Sequence, residues 1–229
     1  MKRILSFILA LTLLATVIPG GIVLAADGDI SVGNGYIEVV SKADGSAFGI
    51  NTLAGIPAKR FDDNKPLLYD DDDKFATSYT TIRIERGIGT GNTTVNDYIY
   101  GSSAGTMTVQ PHEYQIDGEN SAIESMWSVD GVEVTQRLVI NKNTASAHGG
   151  YATVSYEYKN TNPELVQVGI RILLDTKIAD NDGGQFYKNG GSTPITKEVE
   201  YSEKNGNMPE WYSIADSLTY STTTAYGLL

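Results

Sequence analysis

The sequence predicts an all-β domain, an antiparallel β-sandwich, behind a cleaved export segment. Three observations predict it. Apolar and polar side chains take turns along several strand-length runs. Clusters of Gly, Asn and Asp punctuate those runs, and Thr, Tyr, Val and Ile fill them. No stretch after the first 25 residues carries helical periodicity. Many strands joined by polar turns pack best as two antiparallel sheets, so residues 26–229 are expected to form one β-sandwich domain.

The elements follow in chain order. Lys2 and Arg3 precede an apolar run from Ile4 to Ile18, Pro19-Gly20-Gly21 breaks it, and Val23-Leu24-Ala25 supplies small residues for cleavage. That order is the secretory pattern, so residues 1–25 are expected to be a signal peptide removed after Ala25. An uncleaved anchor would need about 20 unbroken apolar residues. Pro19 interrupts this run, and no later run is long enough to span a bilayer. Phe61 to Lys74 reads as an acid-dense loop. Ser78 to Arg86 puts Ile82 and Ile84 on one face, with Thr81, Arg83 and Glu85 on the other. Asp130-Gly131 separates two alternating runs and supplies the positive φ angles of a type I′ turn, which predicts a hairpin. Val132, Val134, Leu138 and Ile140 share a face after it. Ala152, Val154, Tyr156 and Tyr158 share another, and so do Val166, Val168, Ile170, Ile172 and Leu174. Asn160 to Pro163 reads as a turn joining these last two strands into an antiparallel pair, with Glu157 the cross-strand partner of Arg171. Asp180 to Ser192 is a Gly- and Asn-rich loop. The apolar ending Ala225 to Leu229 reads either as a truncated frame or as a domain that ends normally.

The net charge is −11, and loss of Lys2 and Arg3 with the signal peptide takes it to −13. A field of that sign repels nucleic acid and anionic lipid and tolerates neutral sugars, cationic ligands or calcium. The chain has no Cys, so an exported domain must be held by its core alone, a habit that suits a Gram-positive bacterium.

Residues able to carry chemistry are few. The run Asp70-Asp71-Asp72-Asp73 offers carboxylates to a hard cation, but adjacent side chains in a run rarely converge, and a solvated loop is the simpler reading. With Lys74 it also spells an enteropeptidase-type sequence, read as coincidence. Asp180-Asn181-Asp182-Gly183 fails the EF-hand register, because the first ligand position falls on Ile178 and the bidentate one on Asn189. Asp175, Asp180, Asn181 and Asp182 still form the richest oxygen cluster, so calcium is the candidate cation, with an Asx-rich turn as the alternative. His112 and His148 are the only histidines and have no partner motif, and no His/Cys metal set can be built. The nucleophile elbow, the P-loop and the zincin motif are missing. Carboxylates suffice in number for a glycosidase pair, but the pair is defined by a spacing that sequence does not give. Flat apolar faces of sugars pack on aromatic rings, which makes Trp211 and Tyr212, in a loop-like stretch after Pro209, the candidate ligand-binding residues. Trp127, beside the hairpin, is expected in the core.

The stretch Gly169 to Phe186, with the pattern G-x-R-x-x-L-D-T-x-x-x-x-N-D-G-x-x-F, resembles a module near the N-terminus of large exported proteins of clostridia and related Gram-positive bacteria. Gly45-x-x-x-Gly49-Ile50, Leu67-Leu68-Tyr69, Thr80 to Ile84, Val132-x-Val134-Thr135-Gln136 and Trp211-Tyr212-x-x-x-Asp216-Ser217-Leu218 fit the same likeness. The resemblance implies a β-sandwich and a secreted or cell-surface location, and it brings no catalytic residues. The strand-rich pattern is also similar to the supersandwich of aldose-epimerase-like and carbohydrate-active proteins, at the level of fold alone. The expected function is a non-catalytic extracellular module that binds cell-wall or extracellular polysaccharide or forms part of a larger surface protein. The alternatives are a carbohydrate-active enzyme, epimerase-like or hydrolytic, using His112, His148, Glu157 or Asp175, and a structural spacer without a ligand.

Overall fold

The computed structural model describes residues 28–54, 61–68, 77–116, 120–141, 150–201, 209, 211–215 and 224–228. Residues 1–25, the Asp70–Asp73 run and His148 lie outside the described residues. Among the described residues every regular element is a strand, and no helix is long and apolar enough to cross a membrane.

The hairpin predicted at Asp130-Gly131 organises the fold. Both residues have positive φ, 49° and 69°, and they join β7 (Ser121–Val129) to β8 (Val132–Asn141) with Val129 opposite Val132. β6 (Thr106–Gln115) and β9 (Tyr151–Asn160) flank the hairpin, giving an antiparallel sheet ordered β6-β7-β8-β9. One face of this sheet is apolar at both ends. It carries Ile123, Trp127 and Val129 from β7, and Val132, Val134, Leu138 and Ile140 from β8, all buried.

Two smaller sheets cover that face. β1 (Ile30–Gly33), β2 (Ile37–Ser41) and β3 (Phe48–Thr52) form a meander whose Val32, Val39 and Phe48, with Leu68, pack on Ile123, Leu138 and Ile140. β4 (Tyr79–Arg86) lies between β5 (Thr94–Ile99) and β10 (Gln167–Leu173) and turns Ile82 and Ile84 onto Trp127, Val129, Val132 and Val134. Each fully buried side chain of this kind contributes about 1.5–3 kcal/mol of burial free energy. The fold is therefore an all-β antiparallel sandwich, as the alternation predicts. The two covering sheets touch at the loop after β5. There Gly101, at φ 76°, lies so close to Ser46 that a Cβ would stand 2.8 Å from its Cα.

A polar belt divides the core at the same level. Ser125, Gln136 and Tyr156 are successive register partners on β7, β8 and β9. The Gln136 amide donates to the Tyr156 hydroxyl at 2.7 Å, and that hydroxyl also bonds the Thr80 hydroxyl of β4. The Tyr100 hydroxyl donates to the Ser125 carbonyl at 3.0 Å. Its ring meets Tyr156 edge-on at 6.3 Å and Trp127 at 5.6 Å. Every buried polar group needs such a partner, and here they supply one another.

Two expectations from the sequence are corrected. β9 and β10 do not pair: β9 pairs with β8, and β10 with β4 in the opposite layer. The Asn160–Pro163 turn carries the chain between layers because its side chains bind the β7–β8 turn. Asn162 Nδ2 donates to the Gly131 carbonyl at 3.0 Å, and the Thr161 hydroxyl donates to the same carbonyl at 2.8 Å. Arg86 fastens the same corner, bridging Asp130 at 3.0 Å and Glu164 at 2.6 Å. Consequently Arg171 does not meet Glu157. Glu157 accepts from Arg137 at 3.2 Å, and Arg171 stands on the outer face of the other sheet. β9 and β10 both end their sheets, so Tyr158, Ile170, Ile172 and Leu174 are less buried than their alternation suggests.

Candidate functional site

A fourth antiparallel sheet holds the aromatic candidates: β11 (Gln185–Lys188), β12 (Trp211–Ala215) and β13 (Thr224–Leu228). Trp211 and Tyr212 are consecutive in β12, so they point to opposite faces and serve no common platform. The Trp211 ring lies under the Asn189-Gly190 turn. Gly190 has φ 67°, and a Cβ there would come within 3.1 Å of the indole. Asn189 fixes that arrangement, its N–H donating to the Trp211 carbonyl at 3.0 Å and its Oδ1 accepting from the Trp211 N–H at 3.3 Å.

Tyr212 faces a more open surface. Its register partners are Lys188 on one side and Gly227 on the other. Among the described residues no heavy atom lies within 4 Å of where a Gly227 Cβ would stand, so the ring borders an empty step. Tyr201 packs against Tyr212 with centroids 5.9 Å apart, and the Lys188 ammonium sits 5.5 Å from the Tyr201 ring centroid. Burial, and then the neighbouring Tyr201, hold the Tyr212 phenol above its ordinary range, so it stays a neutral donor. Phe186, on the same face, is partly exposed. The surface therefore offers rings for stacking, and a phenol and an ammonium for hydrogen bonds. Tyr201 and Lys188 were not legible as members, because a loop and a strand register bring them in.

Among the described residues no three of His, Cys, Asp and Glu converge as a metal group, Asp175, Asp180 and Asp182 included. Asp180 is almost fully exposed and reaches Lys65 at 3.8 Å. Asn181 Oδ1 accepts from the Gly183 N–H at 2.8 Å, which closes an Asx turn. Asp175 is tied through its backbone N–H to Ser78 Oγ at 3.0 Å.

His112 lies on the outer face of the four-stranded sheet, opposite Glu124, with Nδ1 3.1 Å from the Gln110 carbonyl. Glu124 is bound to Arg137 at 2.6 Å, and the same guanidinium reaches Glu157. The row is an ion-pair ladder across β7, β8 and β9, with Arg137 between its two carboxylates.

A cleft the sequence did not announce lies on the outer face of the β10-β4-β5 sheet. It encloses about 230 Å³ and is lined by Thr81, Arg83, Asp97, Gly169, Ile170 and Arg171. Gly169, Arg83 and Asp97 form one cross-strand row, and Arg171, Thr81 and Ile99 the next. Arg83 grips Asp97 with two parallel bonds of 2.7 and 2.8 Å. That pairing, with Arg171 adding to it, lowers the Asp97 carboxyl below its ordinary range.

Compared with known proteins, the chain matches no protein-family model, no curated protein and no solved structure. The likeness to the clostridial module thus rests on the residues quoted for it.

Proposed function

We propose that the chain is a non-catalytic extracellular module that binds a polysaccharide through the Tyr212 face of its C-terminal sheet. The observation that carries this reading is the Tyr212–Tyr201 pair beside the open Gly227 step, with Lys188 alongside. Rings at a partly open surface accept the CH face of a sugar, and the phenols and ammonium engage its hydroxyls. The export pattern of residues 1–25, the acidity and the resemblance to modules of surface proteins support an extracellular setting. The ion-pair ladder supports binding over catalysis, since Arg137 engages both Glu124 and Glu157.

Affinity electrophoresis in gels containing cell-wall or plant polysaccharides tests this. The wild-type chain is retarded by at least one of them. Tyr212→Ala weakens that binding about tenfold, the value of one well-placed ring contact. Trp211→Ala, on the opposite face, leaves it unchanged. Retardation by none of the polysaccharides, or wild-type retardation of Tyr212→Ala, refutes the reading.

A further inference from the structure

We propose that the cleft on the outer face of the β10-β4-β5 sheet binds the carboxylate of an acidic sugar, a hexuronate residue, with Arg171 as its anchor. This site is separate from the Tyr212 face and does not depend on it.

Gly169 is the first reason. It sits inside β10, where a glycine weakens a strand, and neither its backbone nor its neighbours demand it. Its φ is not in the left-handed region, and a Cβ there would meet only the Arg83 Cβ, at an ordinary 3.6 Å. What the missing side chain provides is the floor of the cleft, open between Arg83 and Arg171. Such an unforced glycine marks close approach of another group to the strand.

Charge is the second reason. Two guanidiniums and one carboxylate line the cleft, and Asp97 is already held two-fold by Arg83. Among the described residues no carboxylate lies within the 4.0 Å ion-pair distance of Arg171. One positive charge is left over, on a chain whose net charge is −11. A planar fork of that kind matches a carboxylate with two parallel bonds.

The rest of the lining narrows the class. Asp97 keeps lone pairs free for hydroxyl donors, and Thr81 adds a hydroxyl. A hexuronate presents a carboxylate and vicinal hydroxyls on one ring and so satisfies both halves of the cleft. A neutral sugar leaves Arg171 unmatched, and a doubly charged phosphate or sulfate meets repulsion from Asp97. The cleft is smaller than the roughly 300–1,000 Å³ of pockets for drug-sized ligands, which fits one ring.

The test is calorimetric titration of the full chain with trisaccharides of galacturonate, glucuronate and guluronate, each beside its methyl ester. At least one acid binds, and its ester binds about tenfold more weakly or not at all. Arg171→Ala and Gly169→Val each weaken the acid about tenfold or more. Gly169→Val retains both arginines and suits a strand, so its loss of binding with an unchanged melting temperature isolates the floor of the cleft. Failure of all three acids to bind, equal affinity for acid and ester, wild-type affinity in both cleft variants, or displacement by equimolar inorganic phosphate overturns the proposal.

Discussion

Tyr156→Phe is the sharpest probe of the polar belt. The substitution deletes one oxygen and keeps the ring, so no cavity opens. It strands two groups. Gln136 loses the acceptor for its 2.7 Å bond, and Thr80 loses its hydroxyl partner. Both residues are buried, Gln136 at 3% exposure and Thr80 at 1%, so neither can turn to water. A buried polar group left unsatisfied costs about 1–3 kcal/mol, so two of them put the variant roughly 2–6 kcal/mol below the wild type. Urea denaturation followed by Trp127 fluorescence reads this as a midpoint lowered by about 1–3 M, for an m value near 2 kcal/mol/M. The triple variant Tyr156→Phe, Gln136→Leu, Thr80→Val removes both stranded groups as well. Replacing all partners by apolar groups of similar shape is nearly neutral, so it recovers to within about 1 kcal/mol of the wild type. A Tyr156→Phe loss below about 0.5 kcal/mol, the range of inert surface changes, would refute the reasoning. So would a triple variant no more stable than the single one.

Two other outcomes follow from the core. Burial pushes the phenols of Tyr100 and Tyr156 above the ordinary value of 10.0, so the folded state keeps protons that the unfolded chain releases. The stability they contribute is complete below about pH 10 and is lost as pH rises beyond it; urea midpoints between neutral pH and about pH 11 must fall at the alkaline end, less so in Tyr156→Phe, and a flat profile contradicts the burial of both phenols. Ile82 and Ile172 share a face of one sheet but not a depth, at 0% and 38% exposure. Ile82→Ala is expected to cost about 3–4 kcal/mol and Ile172→Ala about 1 kcal/mol, and equal losses in the melts would show that β10 is covered.

The sequence was most legible where a local rule settles local geometry. Asp130-Gly131 named its own turn, and the alternation of β4 and β8 named the residues that face the core. It was least legible where geometry depends on distant segments. Alternation assigns a residue to a face without saying which strand lies beside it. A turn such as Asn160–Pro163 reads the same whether the chain folds back or crosses to the other layer. Here the crossing is set by Asn162 on the carbonyl of Gly131 and by Arg86 on Glu164, both supplied from elsewhere. The same gap explains the candidate sites. Trp211 and Tyr212 are neighbours in sequence, and it is the strand that sends them to opposite faces. Gly169 and Arg171 stood in the most distinctive motif, but their cleft needed Arg83 and Asp97 from strands about 85 and 70 residues earlier, close in space by sheet pairing alone.

The pairing of β4 with β10 bears on how the chain reaches its shape. Ile84 meets Val168 only after most of the polypeptide has been laid down. Until then one margin of β4 is a row of bare amides and carbonyls, and the greasy side of the early strands waits for its lid. Ring closure over so long a span slows assembly into the millisecond-to-second range typical of sandwiches. The half-built molecule is therefore the one most exposed to sticking to its own kind, and a chaperone that shields β4 during that interval would raise the yield of folded protein.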